Sequence, residues 1–138
     1  MALTEAEIQT GAVAYFSDAS LIGDAEIERD DDGLDRPGPF LCVQVQEGKS
    51  VWSAISSQRR RERLVIRDEW RINGNPHWQE TPAYLVDGLS TYLGTHAAFI
   101  RASAIERPFH PYQRPSVTAD GVIAVLAEIE KQGGPLLP

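Results

Sequence analysis

Arginine is the residue type in this chain whose chemistry best suits a phosphate-bearing ligand. It supplies eleven of the thirteen basic residues, and its planar guanidinium makes two parallel hydrogen bonds to one phosphate group. Four arginines fall within the six residues Gln58-Arg59-Arg60-Arg61-Glu62-Arg63. A genomic preference for arginine codons or a solvated charged face would produce the same pattern, so composition alone leaves these interpretations open.

The three tryptophans are the residues on which nucleic-acid bases could stack. One such contact is worth about 1–3 kcal/mol. Trp52 follows Val51 in a strand-like run, so we expect it in the core, and Trp70 carries no further signal. Trp78 lies beside His77 in a segment that contains proline, which makes it the better stacking candidate.

Neither the histidines nor the acidic run has the spacing of a metal site. The histidines are irregularly spaced, and no Asp or Glu stands near them at ligand spacing; they are His77, His96 and His110. The run Asp30-Asp31-Asp32-Gly33 looks like the start of a calcium loop, but with its glycine at position six, Pro39 falls where the closing glutamate is required. We expect no metal and no other cofactor.

Charge is distributed unevenly along the chain. The total is −7, which by itself argues against a negatively charged partner. Residues 1–35 hold ten acidic residues and one basic residue, a net −9, whereas residues 36–115 hold eleven basic and seven acidic residues, a net +4. The acidity is therefore local, and the total charge does not exclude a nucleic-acid partner.

The length and composition are those of one compact domain. With 138 residues, 42% of them hydrophobic and 24% charged, we expect a single water-soluble domain over residues 1–138. Cys42 is the only cysteine, which excludes an internal disulfide and indicates a reducing compartment. There is no basic-then-apolar leader, and no apolar run approaches the ~20 residues that cross a bilayer. We expect a cytoplasmic protein with no membrane partner.

The pattern of apolar and turn residues predicts short strands with a helix at each end. A capping box at residues 4–7 predicts a short first helix, residues 12–16 a buried strand, and residues 18–36 a long acidic loop. Residues 40–45 and 51–55 predict a hairpin, and further strands are expected at residues 64–66, 83–86 and 92–93. Residues 97–104 fit a strand or one helical turn, and Thr118 and Gly133 bound a helix over about 117–131.

These elements predict a mainly β, β-rich α+β fold. Five or six short strands joined by small-residue turns are typical of a small, strongly bent antiparallel barrel. We expect the barrel core over about residues 11–105, with the C-terminal helix packed against it.

Three short motifs lie at the ends of the predicted strands. They are Gly11-Ala12-Val13-Ala14-Tyr15-Phe16, then Arg36-Pro37 before the second strand, then Ala54-Ile55-Ser56-Ser57-Gln58 closing the third. In this order they resemble the MazF/PemK family of toxin endoribonucleases, over roughly residues 10–105. The resemblance implies an SH3-like barrel, a homodimer, single-stranded RNA as substrate, and neutralisation by an antitoxin protein.

The resemblance also implies two catalytic residues, Arg36 and Ser56. Cleavage of RNA by its own 2′-OH needs a base for that hydroxyl, stabilisation of a crowded phosphorane, and a proton for the leaving oxygen. Arg36 would hold the non-bridging oxygens and assist proton transfer, and the Ser56 hydroxyl would donate to the phosphate. No metal is required, and the 2′-OH nucleophile explains a preference for RNA over DNA. His110, in a proline-rich connector, is a further candidate base.

We expect substrate contacts in the residues that directly follow Ser56, and at one tryptophan. They are Ser57, Gln58, Arg59, Arg60, Arg61 and Trp78. An alternative is a catalytically inactive SH3-like module that binds nucleic acid or a partner peptide. In a third hypothesis, the acidic residues 18–35 cover the basic face as a nucleic-acid mimic.

Overall fold

The chain folds into short strands and helices that alternate along the sequence. The computed structural model describes residues 3–29, 38–103, 109 and 111–138. Within these residues there are nine strands and four α-helices: β1 (Val13–Phe16), α1 (Asp18–Ile22), β2 (Ile27–Arg29), β3 (Gly38–Gln46), β4 (Lys49–Ser56), β5 (Val65–Ile66), β6 (Arg71–Ile72), α2 (Pro76–Glu80), β7 (Ala83–Leu85), β8 (Thr91–Thr95), α3 (His96–Ala102), β9 (Ser116–Val117) and α4 (Ala119–Gln132).

Seven of these strands form one antiparallel sheet, with β4 at its centre. One edge of β4 pairs with β3, which in turn pairs with β1. Its other edge is shared, because β8 pairs with its first five residues and β7 with its last two. β2 extends β8, β5 extends β7, and β6 pairs with β9 in a separate two-stranded sheet. The mainly β α+β class is confirmed, but the sheet forks at β4 and does not close into the expected barrel.

The β3–β4 hairpin is the strongest local feature of the sequence, and it forms as predicted. Gly48 has a φ of 72° in the turn, a left-handed conformation that glycine adopts without steric cost. The register shifts between Cys42 and Gln44. Such a bulge increases the local twist of a strand pair, which bends the hairpin around the core.

The core lies on both faces of the sheet. One face carries the rings of Phe16, Phe40, Trp52 and Phe99, and the Phe16 and Trp52 centroids lie 5.1 Å apart in an edge-to-face pair. Helix α3 covers this face and α4 covers the other, where it packs against alternate residues of β3 and β4. Burial on both faces explains the unbroken apolar run at residues 40–43. Trp52 is fully buried, as the sequence indicates.

The acidic segment 18–36 is not one long loop, so that expectation is corrected. Its described part contains α1 and β2. The Ser17 hydroxyl accepts a hydrogen bond from the Ser20 N–H at 3.1 Å and caps α1, and Leu21 and Ile27 are buried. The apolar residues of this segment are few and follow neither the helical nor the strand period, so the sequence predicts neither element. Residues 30–37 lie outside the described part of the chain.

The remaining elements agree with the sequence in most places. Glu5–Glu7 form one 3₁₀ turn, and the Glu7 carboxylate accepts from the Thr4 N–H at 2.9 Å, as a capping box requires. Residues 96–102 are helical, which settles the choice left open there. Helix α4 begins after Thr118 and ends at Gly133, whose φ is 85°. No helix in the described ranges is long and apolar enough to cross a membrane.

Candidate functional site

A cleft of about 320 Å³ opens among the ends of several strands and α2. Its walls come from β1, the first residues of β3, the end of β4, α2 and the residues before β7. The polar or aromatic side chains in these walls are Tyr15, Ser56, Ser57, Asn75, His77, Trp78 and Thr81. Three residues predicted as separate substrate contacts or catalytic groups, Ser56, Ser57 and Trp78, therefore line one cleft.

Ser56 is the last residue of β4, and its side chain is mostly buried. The residue is 8% exposed, and its Oγ accepts a hydrogen bond from the Gln58 N–H at 3.1 Å. This contact is the serine turn that often follows a strand. Ser56 thus fixes the direction in which the chain leaves β4, besides lining the cleft.

Ser57 differs from Ser56 in exposure and in bonding. It is exposed in the same cleft, and among the described residues nothing hydrogen-bonds to its hydroxyl. A hydroxyl that is not used within the fold can donate to a bound anion without losing an existing contact. Ser57 is therefore the better placed of the two serines to bind a ligand.

Helix α2 carries the aromatic wall of the cleft. It begins at Pro76, a residue preorganised for the first helical position, and the Asn75 Oδ1 accepts from the Trp78 N–H at 2.9 Å. The indole Nε1 of Trp78 donates to the Ile72 carbonyl at 3.1 Å, so the half-buried ring is held in place. No helix was expected in this proline-containing segment, although the Asn-Pro pair is a helix-start signal.

A buried arginine, Arg71, holds α2 against the sheet. It is 4% exposed, and its guanidinium donates to the carbonyls of Trp78 at 3.1 Å, Gln79 at 3.0 Å and Ile66 at 2.7 Å. The same group donates to the Asp68 carboxylate at 2.9 Å. No local pattern in the sequence separates Arg71 from an exposed arginine, so its role is visible only in the structure.

His77 lies on α2 and contributes an imidazole to the cleft. Its Nδ1 is 3.2 Å from the Thr81 Oγ1, and the Thr81 N–H also donates to the His77 carbonyl at 2.9 Å. No described residue hydrogen-bonds to the other ring nitrogen, Nε2. In the sequence, His77 stands out only as a histidine without metal-ligand spacing and as the neighbour of Trp78.

The arginine-rich run at residues 58–63 forms an exposed loop, which follows the cleft residue Ser57 directly in the chain. Arg63 anchors this loop, with its Nε donating to the Val86 carbonyl at 3.2 Å and its Nη1 to the Gln58 carbonyl at 2.9 Å. Arg59, Arg60 and Arg61 are exposed, and none of their three guanidinium groups hydrogen-bonds or pairs with any described residue. Arg60 and Arg61 line a separate depression of about 630 Å³, whereas Gln58 and Arg59 line neither concavity.

Two sequence-predicted residues, Arg36 and His110, lie outside the described residues. Gly38, two residues after Arg36 in the sequence, lines the cleft. Among the described residues no group of three His, Cys, Asp or Glu side chains could hold a metal ion.

The described walls of the cleft carry no formal charge. Among the described residues of its walls there is no Asp, Glu, Lys or Arg. Hydrogen bonds from Arg101, at 3.0 Å and 2.7 Å, hold the pKa values of Asp24 and Glu26 below their usual range. Burial raises the pKa of the Cys42 thiol to about 12, so this cysteine is not a nucleophile at neutral pH.

Comparison with known proteins identifies no relative of this chain. No family model, no curated protein and no solved structure gives a match. Its function has to be argued from its own residues.

Proposed function

We propose that the protein is a metal-independent endoribonuclease, acting as the toxin of a toxin–antitoxin pair on single-stranded RNA. The observation that carries the proposal is that Ser56, Ser57 and Trp78 line one cleft. Shortly after Ser57 in the chain come three exposed arginines, residues 59–61, whose guanidinium groups pair with no described residue. Motif resemblance supports the same reaction, because Ser56 and Ser57 belong to the strand-end motif that resembles the MazF/PemK pattern.

The cleft and the basic loop suit different parts of an RNA strand. The cleft has an aromatic wall at Trp78 and no formally charged side chain among its described residues, which favours an unpaired base over a phosphate. Arg59, Arg60 and Arg61 carry charges that the described part of the fold does not neutralise. They would bind the phosphates that flank the base in the cleft.

The reaction that fits this arrangement uses the substrate's own nucleophile. The 2′-OH attacks the adjacent phosphorus, the O2′–P bond forms and the P–O5′ bond breaks. The hydroxyl of Ser57 would donate to a non-bridging oxygen, where negative charge increases in the transition state. Arg36 keeps the role that the resemblance implies, which is to bind the same oxygens.

Its partners and its compartment form part of the same proposal. A homodimer and a cytoplasmic location follow from the resemblance and from the lone cysteine. An antitoxin protein with an acidic segment would compete with RNA for the three arginines, because a row of carboxylates presents similar charges.

The proposal is tested with a pool of single-stranded RNA in the presence of EDTA. We expect fragments that end in a 2′,3′-cyclic phosphate and begin with a 5′-OH. Arg36→Ala should lower the cleavage rate about 10²–10³-fold, as loss of an oxyanion donor does, and Ser57→Ala about 10-fold or more. Lys49→Ala, at the opposite end of β4, is the matched control and should cleave normally.

Binding without turnover would contradict the proposal. If the protein retains RNA or a peptide but leaves every RNA sequence intact, it is the inactive binding module instead. Cleavage of DNA at the same rate would exclude the 2′-OH mechanism.

A further inference from the structure

We infer that His77 is the general base that takes the proton from the 2′-OH. The inference rests on the proposed function, and it assigns a catalytic role to a residue outside the motifs that suggested that function. His77 lines the same cleft as Ser57 and Trp78, so a nucleotide whose base stacks on Trp78 would share the cleft with the imidazole.

Proton transfer near neutral pH points to His77 among the described walls of the cleft. His77 carries the only imidazole among these described walls, and the other polar side chains there offer hydroxyl, amide or indole groups, which are poor proton acceptors. Imidazole both accepts and returns a proton around pH 7. The charged groups that the described residues place near the helix include Glu80, three residues further on α2, and Arg71, whose guanidinium binds backbone carbonyls of the helix. Asp68 pairs with the same guanidinium at 2.9 Å.

The contact with Thr81 fits the tautomer that a base needs. When the His77 Nδ1–H donates to the Thr81 Oγ1, 3.2 Å away, the lone pair lies on Nε2. No described residue occupies Nε2, so it can accept a proton from a substrate. A base whose second nitrogen is oriented by a neighbouring group is the usual arrangement in nucleophile activation.

The helix that carries His77 is held at both ends. Asn75 caps its start at 2.9 Å, and Arg71 binds the carbonyls of the two residues that follow His77, Trp78 and Gln79. A catalytic group needs such support, because its geometry must be set before the substrate binds. This is the function we assign to the buried Arg71, which positions α2.

The proton balance of the step is complete without a co-reactant. Nε2 of His77 takes the 2′-OH proton as the O2′–P bond forms. The electron pair of the P–O5′ bond goes to O5′, which takes a proton from water. The imidazolium then returns its proton to solvent, so the enzyme is restored and the products are a cyclic phosphate and a 5′-OH.

The test is removal of the imidazole and its return from solution. His77→Ala should slow cleavage about 10²–10⁴-fold, the usual contribution of a general base, and should lose the acidic limb of the pH–rate profile. Added imidazole should restore part of the rate. Affinity for the same RNA with a 2′-O-methyl group at the cleavage site should change less than about threefold. His96→Gln, a histidine outside the cleft, is the control and should cleave normally.

The possible outcomes separate the inference from the function it rests on. If wild-type protein cleaves and His77→Ala cleaves equally, or stays slow in imidazole with its pH profile unchanged in shape, the assignment of His77 is wrong and the nuclease stands. If wild-type protein cleaves nothing, the proposed function fails and the role of His77 fails with it.

Discussion

The arginines of this chain have different roles because their guanidinium groups have different surroundings. Arg71 is buried and donates to three carbonyls and one carboxylate. Arg101 lies half-exposed and pairs with two carboxylates at the surface. Arg59 is exposed, with no partner among the described residues. Burial with several acceptors indicates a structural role, whereas an unpaired exposed guanidinium is available to a ligand.

Replacing Arg71 tests whether it holds α2 in place. Arg71→Met leaves three carbonyls without their donor, and we expect the free energy of unfolding to fall by about 3 kcal/mol. Arg67→Met is the matched control, because Arg67 is exposed, lies 3.8 Å from Glu69 and stacks over Trp70; its loss should cost less than about 1 kcal/mol. Urea unfolding measures both values.

The same pair of variants has a second readout in the cleft. Hydrogen exchange of the amides in α2 should accelerate in Arg71→Met and stay unchanged in Arg67→Met. Equal stability of the two variants would show that the Arg71 contacts are replaced by water without loss, and that α2 is held by packing instead.

At the level of elements, the helices and strands that the sequence predicts are those whose start, end and apolar pattern lie within the element itself. The β3–β4 hairpin combines an unbroken apolar run with a glycine turn, and α4 has both its cap and its terminating glycine in the sequence. Helices α1 and α2 have five residues each, which is too short to be stable without tertiary contacts. Such elements depend on remote partners, so a local start signal such as Asn75-Pro76 does not by itself predict a helix.

The residues of the candidate site also divide into those that a local motif indicates and those that only the fold brings together. Ser56 and Ser57 could be selected from the sequence because a motif at one strand end contains both. Tyr15, Asn75 and His77 come from other elements, and only the crossing of the chain brings them to the same cleft. The polarity of a single residue does not tell which remote residues it meets.

The packing of α4 can be tested at Gly121, where the helix passes close to the turn that precedes β6. A Cβ on Gly121 would lie 2.5 Å from the Val117 Cγ1 and 2.9 Å from the Trp70 Cβ. Overpacking of this kind costs about 1–3 kcal/mol. Helix propensity alone predicts the opposite sign, a gain of about 1 kcal/mol for Gly121→Ala.

Thermal unfolding of Gly121→Ala distinguishes these two effects by direction. We expect a lower melting temperature than wild type, with Ile123→Ala on the exposed side of the same helix nearly unchanged. A higher melting temperature would mean that α4 shifts away from Trp70 without cost, and that the close approach is not a constraint.

At the scale of the whole molecule, the acidic and basic halves are partly paired with each other. Glu7 binds Arg114 at 2.9 Å, and Asp24 and Glu26 bind Arg101. These pairs neutralise acidic residues of the N-terminal quarter with arginines of the remaining chain. The net −7 is therefore a poor guide to the local charge beside Ser57, where three exposed arginines follow at residues 59–61.

The salt dependence of RNA binding tests that distribution of charge. Each arginine that neutralises a phosphate of a single strand contributes about 0.7 to the slope of log K against log salt. With an RNA blocked by 2′-O-methyl groups, we expect Arg59→Ala, Arg60→Ala and Arg61→Ala each to reduce the slope by that amount. Lys49→Ala carries the same charge change at the other end of β4, roughly 23 Å away along the strand, and should keep the wild-type slope. Equal slopes in all four variants would mean that the RNA backbone binds elsewhere on the molecule. The number of counterions released on binding depends on the charges of the surface that the RNA contacts, and not on the total charge of −7.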